Sequence, residues 1–156
     1  MSTKTRKVLV PQPEPPKKNS PYYQLAEEYG LTKSERLYLR EEISALFESR
    51  RRFVCYPYRV VWRLEEPSEE PLKVLISVPK RLIRHAVDRN TIKRRTREAW
   101  RLQKGPLRAL AEEREGTLLI GLLYIGDHVS RSERLSAAVS KSIGRLCEEM
   151  KQESAL

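Results

Sequence analysis

The stretch Gly116 to Ile125 (GTLLIGLLYI) constrains this chain more than any other. It carries no charge, is almost wholly apolar and β-prone, and falls far short of the roughly 20 residues that cross a bilayer. Such a run reads as a strand buried in a sheet, not as one alternating between core and water. The remaining residues must supply the layers that bury it. A length of 156 residues suits one compact domain with room for a tail.

The layers are legible on both sides of that run. Leu39, Ile43, Leu46 and Phe47 recur at helical spacing and predict a helix over about 40–50, with Thr32-Lys-Ser-Glu35 as a capping-box pattern ahead of it. Between Phe53 and Leu64, Tyr56, Tyr58, Val60, Trp62 and Leu64 alternate with Pro57, Arg59, Val61 and Arg63. That is a period-two strand, aromatics on one face and two arginines on the other. Pro57 implies a bulge or an edge, and room for a further strand where the segment bends. Glu65 to Pro71 is a turn region, and Leu72 to Val78 reads as the second strand of the same hairpin, stopped by Pro79. After Gly105-Pro106, Leu107 to Glu115 is a short helix or loop. A second capping-box pattern, Ser130-Arg-Ser-Glu133, opens a final helix with Leu135, Val139, Ile143, Leu146 and Met150 on one face. The order is α-β-β-α-β-α, or α-β-β-β-α-β-α with the extra strand: an α+β sandwich of helices on one sheet.

The first 21 residues hold five of the ten prolines, so 1–30 is expected as an extended, basic, Pro-rich disordered arm, with a short helix from Tyr22 to Gly30. Its Lys4, Arg6, Lys7, Lys17 and Lys18 suit either a nucleic-acid backbone or plain solvent. The domain is expected over 31–151, with a tail at 152–156. Val8-Leu9-Val10, ended by Pro11, is too short for a secretory apolar core, and Cys55 and Cys147 lack a CxxC spacing. Two lone cysteines fit packed thiols in a reducing compartment, and the cytoplasm is the expected location.

Charge points to function. Lys and Arg number 31 against 21 Asp and Glu, a formal charge of +10, which favours a polyanionic partner. The surplus is concentrated: from Lys80 to Arg101 there are nine basic residues (Lys80, Arg81, Arg84, Arg89, Lys93, Arg94, Arg95, Arg97, Arg101) against Asp88 and Glu98. At about 100° per residue, Asn90, Lys93, Arg94, Arg97 and Arg101 share one face of a helix, with Ile92, Thr96 and Ala99 opposite. Like charges one turn apart repel, and a face tuned only for stability would interleave acids. Phosphates laid along the ridge relieve that repulsion, so a nucleic acid is the expected partner. Phe47, Tyr56, Tyr58 and Trp62 suit either the core or stacking on unpaired bases. His85 and His128 are isolated, and the carboxylates fall in turns or on helix faces without metal-ligand spacing.

The run from Ser77 to Arg101 (SVPKRLIRHAVDRNTIKRRTREAWR) resembles the signature of the bacterial ribonuclease P protein component. An S-V-x-K lead-in falls on Ser77, Val78 and Lys80, and A-V-x-R-N-x-x-K-R-x-x-R-E-x-aromatic falls on Ala86, Val87, Arg89, Asn90, Lys93, Arg94, Arg97, Glu98 and Trp100. The likeness extends over about Leu31 to Met150. It implies a ribosomal-S5-domain-2-like fold with a left-handed β-α-β crossover, a handedness the general rule would not suggest. It also implies a subunit of a ribonucleoprotein endoribonuclease that removes the 5′ leader of precursor tRNA. The catalytic RNA, with Mg²⁺ held mainly by that RNA, performs the hydrolysis; no organic cofactor, protein metal site, catalytic side chain or membrane is involved. One protein monomer is expected per RNA.

By position, the resemblance assigns Arg89, Asn90, Lys93, Arg94 and Arg97 to contact with the catalytic RNA; Arg101, on the same helix face, is expected to join them, and Lys80 and Arg81 are expected to bind RNA near the rim of the leader cleft. It assigns Ile43, Phe47 and Trp62 to a cleft for the leader, between the first helix and the strand face, where Tyr58 of the same aromatic strand is expected as well. Two positions depart from the pattern. Thr91 stands where an arginine is usual, with Arg95 or Arg101 as the candidate replacement contact, and Ile43 stands where an aromatic is usual. The alternative expectation is a ribosomal or general RNA-binding protein with no part in cleavage.

Overall fold

The computed structural model describes residues 33–154, so the expected arm over 1–30, with its Tyr22–Gly30 helix, lies outside the described residues. Four strands, β1 (Arg52–Cys55), β2 (Tyr58–Glu65), β3 (Leu72–Ser77) and β4 (Thr117–Tyr124), form one sheet in the order β1-β2-β4-β3. The helices are α1 (Arg40–Glu48), α2 (Ala86–Gln103), α3 (Gly105–Glu113) and α4 (Ser132–Ser154). The α+β class and the α-β-β-β-α-β-α order are borne out, with α3 as the optional helix. α4 continues through Ser154, into the segment expected as tail.

The bend at Pro57 is a tight turn: Tyr56 and Pro57, joined by a cis peptide bond, link β1 to β2 as an antiparallel hairpin. The expected β2–β3 hairpin does not form. β4 lies between them, antiparallel to β2 from Tyr58↔Tyr124 to Glu65↔Thr117 and parallel to β3 from Leu72↔Leu118 to Ser77↔Leu123. The reason is β4's composition: seven of its eight residues are buried, and only an interior position pairs both of its edges. The 66–71 link passes over the start of β4, where the Leu118 amide donates to the Pro71 carbonyl at 2.8 Å.

Each face of the sheet has its own cover. Even-numbered residues of β2 and β4 (Tyr58, Val60, Trp62, Leu118, Ile120, Leu122, Tyr124) pack with Ile92, Ala99 and Trp100 of α2 and with Leu135, Val139, Ile143, Leu146 and Met150 of α4. On the other face Val61 and Leu119 meet Leu46 of α1 and Leu37. Gly121 matters there, because a Cβ on it would stand 3.2 Å from Leu46 Cδ2. A nine-residue helix spans only about 13 Å, against about 27 Å for eight strand residues. α1 therefore leaves part of this face open.

Of the two capping-box patterns, the first begins at Thr32, outside the described residues, and the second does not form as expected. The segment before α1 is a 3-10 turn, Lys33–Glu35, and α1 starts at Arg40 behind Leu39, which offers no side-chain cap. Ser130 Oγ faces the Tyr124 hydroxyl at 3.0 Å instead of capping α4. Glu35 has a different task. It is buried and ion-paired to Lys104, itself 1% exposed at the α2–α3 junction, and to Arg108 at 3.0 Å. Removing the carboxylate takes the counter-charge from a buried ammonium, so Glu35→Ala should lower stability in urea unfolding by about 3 kcal/mol. A loss under about 1 kcal/mol, the scale of an exposed pair, would show that the buried pair does not anchor this segment.

Candidate nucleic-acid interface

α2 has the two faces its sequence implies. Ile92, Thr96, Ala99 and Trp100 are buried against the sheet and α4, while Asn90, Arg94 and Arg97 are exposed and Lys93 is half-buried. Among the described residues, the side chains of Asn90, Lys93, Arg94 and Arg97 have no hydrogen-bonding or ionic partner, and the same holds for the side chains of Lys80, Arg81 and Arg84. A cation held in water by structure alone, one turn from the next, is a ready ligand for phosphate oxygens.

The other basic residues divide differently. Arg89 donates to the carbonyls of Ile83 (3.0 Å) and Arg84 (2.8 Å), which ties the 79–85 loop to the first turn of α2. Arg101 is paired with Glu98 on the surface; the hydrogen bond lowers the Glu98 carboxyl's pKa and raises that of the Arg101 guanidinium. Arg95 reaches the Ser130 carbonyl at 2.8 Å, and the Thr91 hydroxyl donates to the Val87 carbonyl of its own helix. Arg95 and Arg101 thus both have partners within the protein, Arg95 a backbone carbonyl and Arg101 a surface carboxylate. Lys80 and Arg81, with Arg84 and His85, line a basic recess of about 610 Å³ at the start of α2. Sequence reasoning left Arg84 and His85 aside because nothing local shows that the loop folds back around them.

The four residues expected to line one cleft are not brought together. Ile43 and Phe47 lie on α1, Phe47 exposed and Ile43 half-buried. Tyr58 and Trp62 project from the opposite face of β2 into the core under α2 and α4. The alternation along β2 was legible, but α1 covers the face of Arg59, Val61 and Arg63; Arg63 donates to the Ala45 carbonyl of α1 at 2.9 Å. Tyr58 is fully buried, its hydroxyl 2.7 Å from Thr96 Oγ1 and its ring edge-on to Tyr124. Trp62 donates to Glu149 at 2.6 Å beneath the Arg51 guanidinium. On the α1 side of the sheet, Ile43, Leu75 and Leu123 are instead half-buried around Leu46 and Val61, and Phe47, Val54 and Arg59 are exposed; this open part of the face is the groove beside α1.

Four acids, Glu41, Glu42, Glu65 and Glu66, line a recess at the start of α1; Glu42 pairs with Lys73 at 3.1 Å and Glu65 with Arg63. Cys55 and Cys147 are free thiols, as expected. Among the described residues no helix is long and apolar enough to cross a membrane.

A mixed four-stranded sheet with a cationic helix between its two parallel strands defines a small α+β domain that presents a basic surface. A model of the ribonuclease P family matches residues 31–120. Ribonuclease P protein components from two strains of Porphyromonas gingivalis are 41% identical over 119 residues, 76% of this chain and 87% of theirs. The one from Chlorobaculum tepidum is 35% identical over 100 residues, 60% of this chain and 65% of its own. The chain belongs to the ribonuclease P protein family, and with it to the components of an endoribonuclease that acts in tRNA processing. The resemblance read from Ser77 to Arg101 is borne out.

Burial raises the Tyr58 phenol from its usual value near 10 to about 12, an effect only partly offset by the hydrogen bond to Thr96. The folded state therefore favours the neutral phenol. Its contribution is intact below pH 10 and disappears as pH rises towards about 12, where the folded form ionises too. Tyr58→Phe should remove that part of the alkaline loss of stability and cost about 1 kcal/mol at neutral pH. RNA affinity should be unchanged. A selective loss of RNA affinity in a stable Tyr58→Phe variant would return Tyr58 to the interface.

Proposed function

We propose that this chain is the RNA-binding subunit of ribonuclease P: the exposed face of α2 lies along the folded catalytic RNA, and the RNA cuts the 5′ leader from precursor tRNA. The observation that carries the reading is the row Lys93, Arg94 and Arg97, unpartnered among the described residues, on a helix whose opposite face is locked in the core. Asn90 and the pair-engaged Arg101 flank the row, and Lys80, Arg81 and Arg89 extend or brace it at the start of α2. Names of the relatives from Porphyromonas gingivalis and Chlorobaculum tepidum support the assignment to this ribonucleoprotein.

The leader of precursor tRNA runs in the groove beside α1, over Ile43 and Phe47 rather than over Tyr58 and Trp62. With Ile43 aliphatic, Phe47 carries the base stacking on α1, and Arg59 supplies positive charge across the groove. Mg²⁺ belongs to the RNA in this reading, and one protein binds one RNA. The protein's role is electrostatic and positional: it neutralises phosphates and holds the leader, releasing condensed counterions as it does so.

Replacing Lys93 and Arg97 together by Ala should leave the fold intact, since neither side chain has a partner among the described residues. Affinity for the ribonuclease P RNA should fall, and the slope of log affinity against log salt should become shallower by about 1 to 2, as one or two phosphate contacts disappear. An unchanged slope in a folded variant would contradict the ridge as the RNA-binding surface.

A further inference from the structure

The outer edge of the sheet next to the ridge has chemistry that backbone neutralisation does not use. β3 is an edge strand, and among the described residues its free side pairs with protein only at the Arg36↔Val74 bridge, where the Leu37 amide donates to the Val74 carbonyl at 2.9 Å. On the other side of the strand, the Pro71 carbonyl accepts from Leu118 of β4. In a parallel ladder alternate residues turn their N–H and C=O to the same side, so Val74 and Ile76 face outward. The chain leaves β3 after Leu37 to enter α1, and nothing among the described residues takes the outward backbone groups of Ile76.

That opening is roofed on two sides. A recess of about 190 Å³ lies there, lined by Arg36, Leu37, Tyr38, Val74 to Ile76, and Arg97 of α2. Tyr38 is 62% exposed, and the guanidinium groups of Arg36 and Arg97 have no partners among the described residues. The volume is below the roughly 300 Å³ at which pockets for drug-sized ligands begin, so it suits one planar ring and not a larger ligand. The walls offer an aromatic face for stacking, apolar contact from Leu75 and Ile76, a backbone donor and acceptor on one edge, and two guanidinium groups at the mouth. Arg97 belongs to both the recess and the ridge, so a strand following the ridge passes its entrance.

We infer that this recess holds a single unpaired nucleobase, splayed from the RNA that lies along α2, with its face on Tyr38 and its edge on Ile76. The inference rests on the RNA-binding reading and adds a base-recognition subsite to it. Adenine suits the edge, since it presents a donor (N6–H) beside an acceptor (N7).

The test uses the full chain and two RNA hairpins of equal length of paired stem, one fully paired and one with a single bulged adenosine. The wild type should bind the bulged hairpin roughly five-fold or more tightly, the range of one base stacked on an aromatic side chain. Tyr38→Ala should erase that preference while leaving affinity for the paired hairpin unchanged, and Tyr38→Phe should retain it. 2-Aminopurine at the bulge should be quenched by the wild type and by Tyr38→Phe but not by Tyr38→Ala. Equal affinity of the wild type for both hairpins, or a preference that survives Tyr38→Ala, overturns the subsite and leaves the ridge standing. Failure to bind either hairpin overturns the RNA-binding reading and the subsite together.

Discussion

The structure depends on burying β4 on both faces and pairing it on both edges. A strand with no polar face has only one stable place, the interior of a sheet with a layer on each side. Placing it there separates β2 from β3, makes the β3–β4 pair parallel, and so requires the long excursion that contains α2 and α3. The cationic helix sits where that excursion has to cross the sheet. Its inner face, Ile92, Thr96, Ala99 and Trp100, is fixed by packing, and the opposite face is therefore held outward. Rigidity of this kind lowers the ordering cost of binding a polyanion, because the charges are already aligned beforehand.

The two faces of the sheet divide the work. Under α2 and α4 lies the larger core, where aromatic residues are sealed and their polar tips paired: Tyr58 with Thr96, Trp62 with Glu149, Tyr124 with the His128 carbonyl. Over the other face α1 is too short to close the surface, and Gly121 lets it sit low enough for Leu46 to reach the sheet. What remains open there is a shallow, partly apolar groove with arginine at its border. The larger core thus lies under α2 and α4, and the more open face of the sheet under α1. The Glu35–Lys104–Arg108 cluster fastens the segment ahead of α1 to the α2–α3 junction, so the groove and the ridge belong to one rigid frame.

Features written in local pattern were legible in the sequence. The apolar run of β4, the hydrophobic stripe of α4 and the opposed faces of α2 follow from residue spacing alone, and the Ser77–Arg101 motif carried the family. Features set by long-range pairing were not. Leu72 to Val78 has the spacing of a hairpin partner for β2, and only the demand of β4 for two neighbours sends it elsewhere. Alternation placed Tyr58 and Trp62 on one face of β2, but nothing local says which face α1 will cover. The Ser130 capping pattern failed for a similar reason, since Ser130 is claimed by Tyr124; Glu35 is held by a lysine 69 residues away. Lys104 looks like one more surface cation until the fold buries it.

The claim that this chain binds while its RNA cuts is tested most directly by incubating precursor tRNA and Mg²⁺ with the purified protein, freed of nucleic acid, alone and after adding the ribonuclease P RNA. The account predicts that the 5′ leader stays attached with the protein alone, and that it is released at the mature 5′ end when the RNA is present, at lower Mg²⁺ than the RNA needs by itself. Leader removal by the RNA-free protein would contradict it.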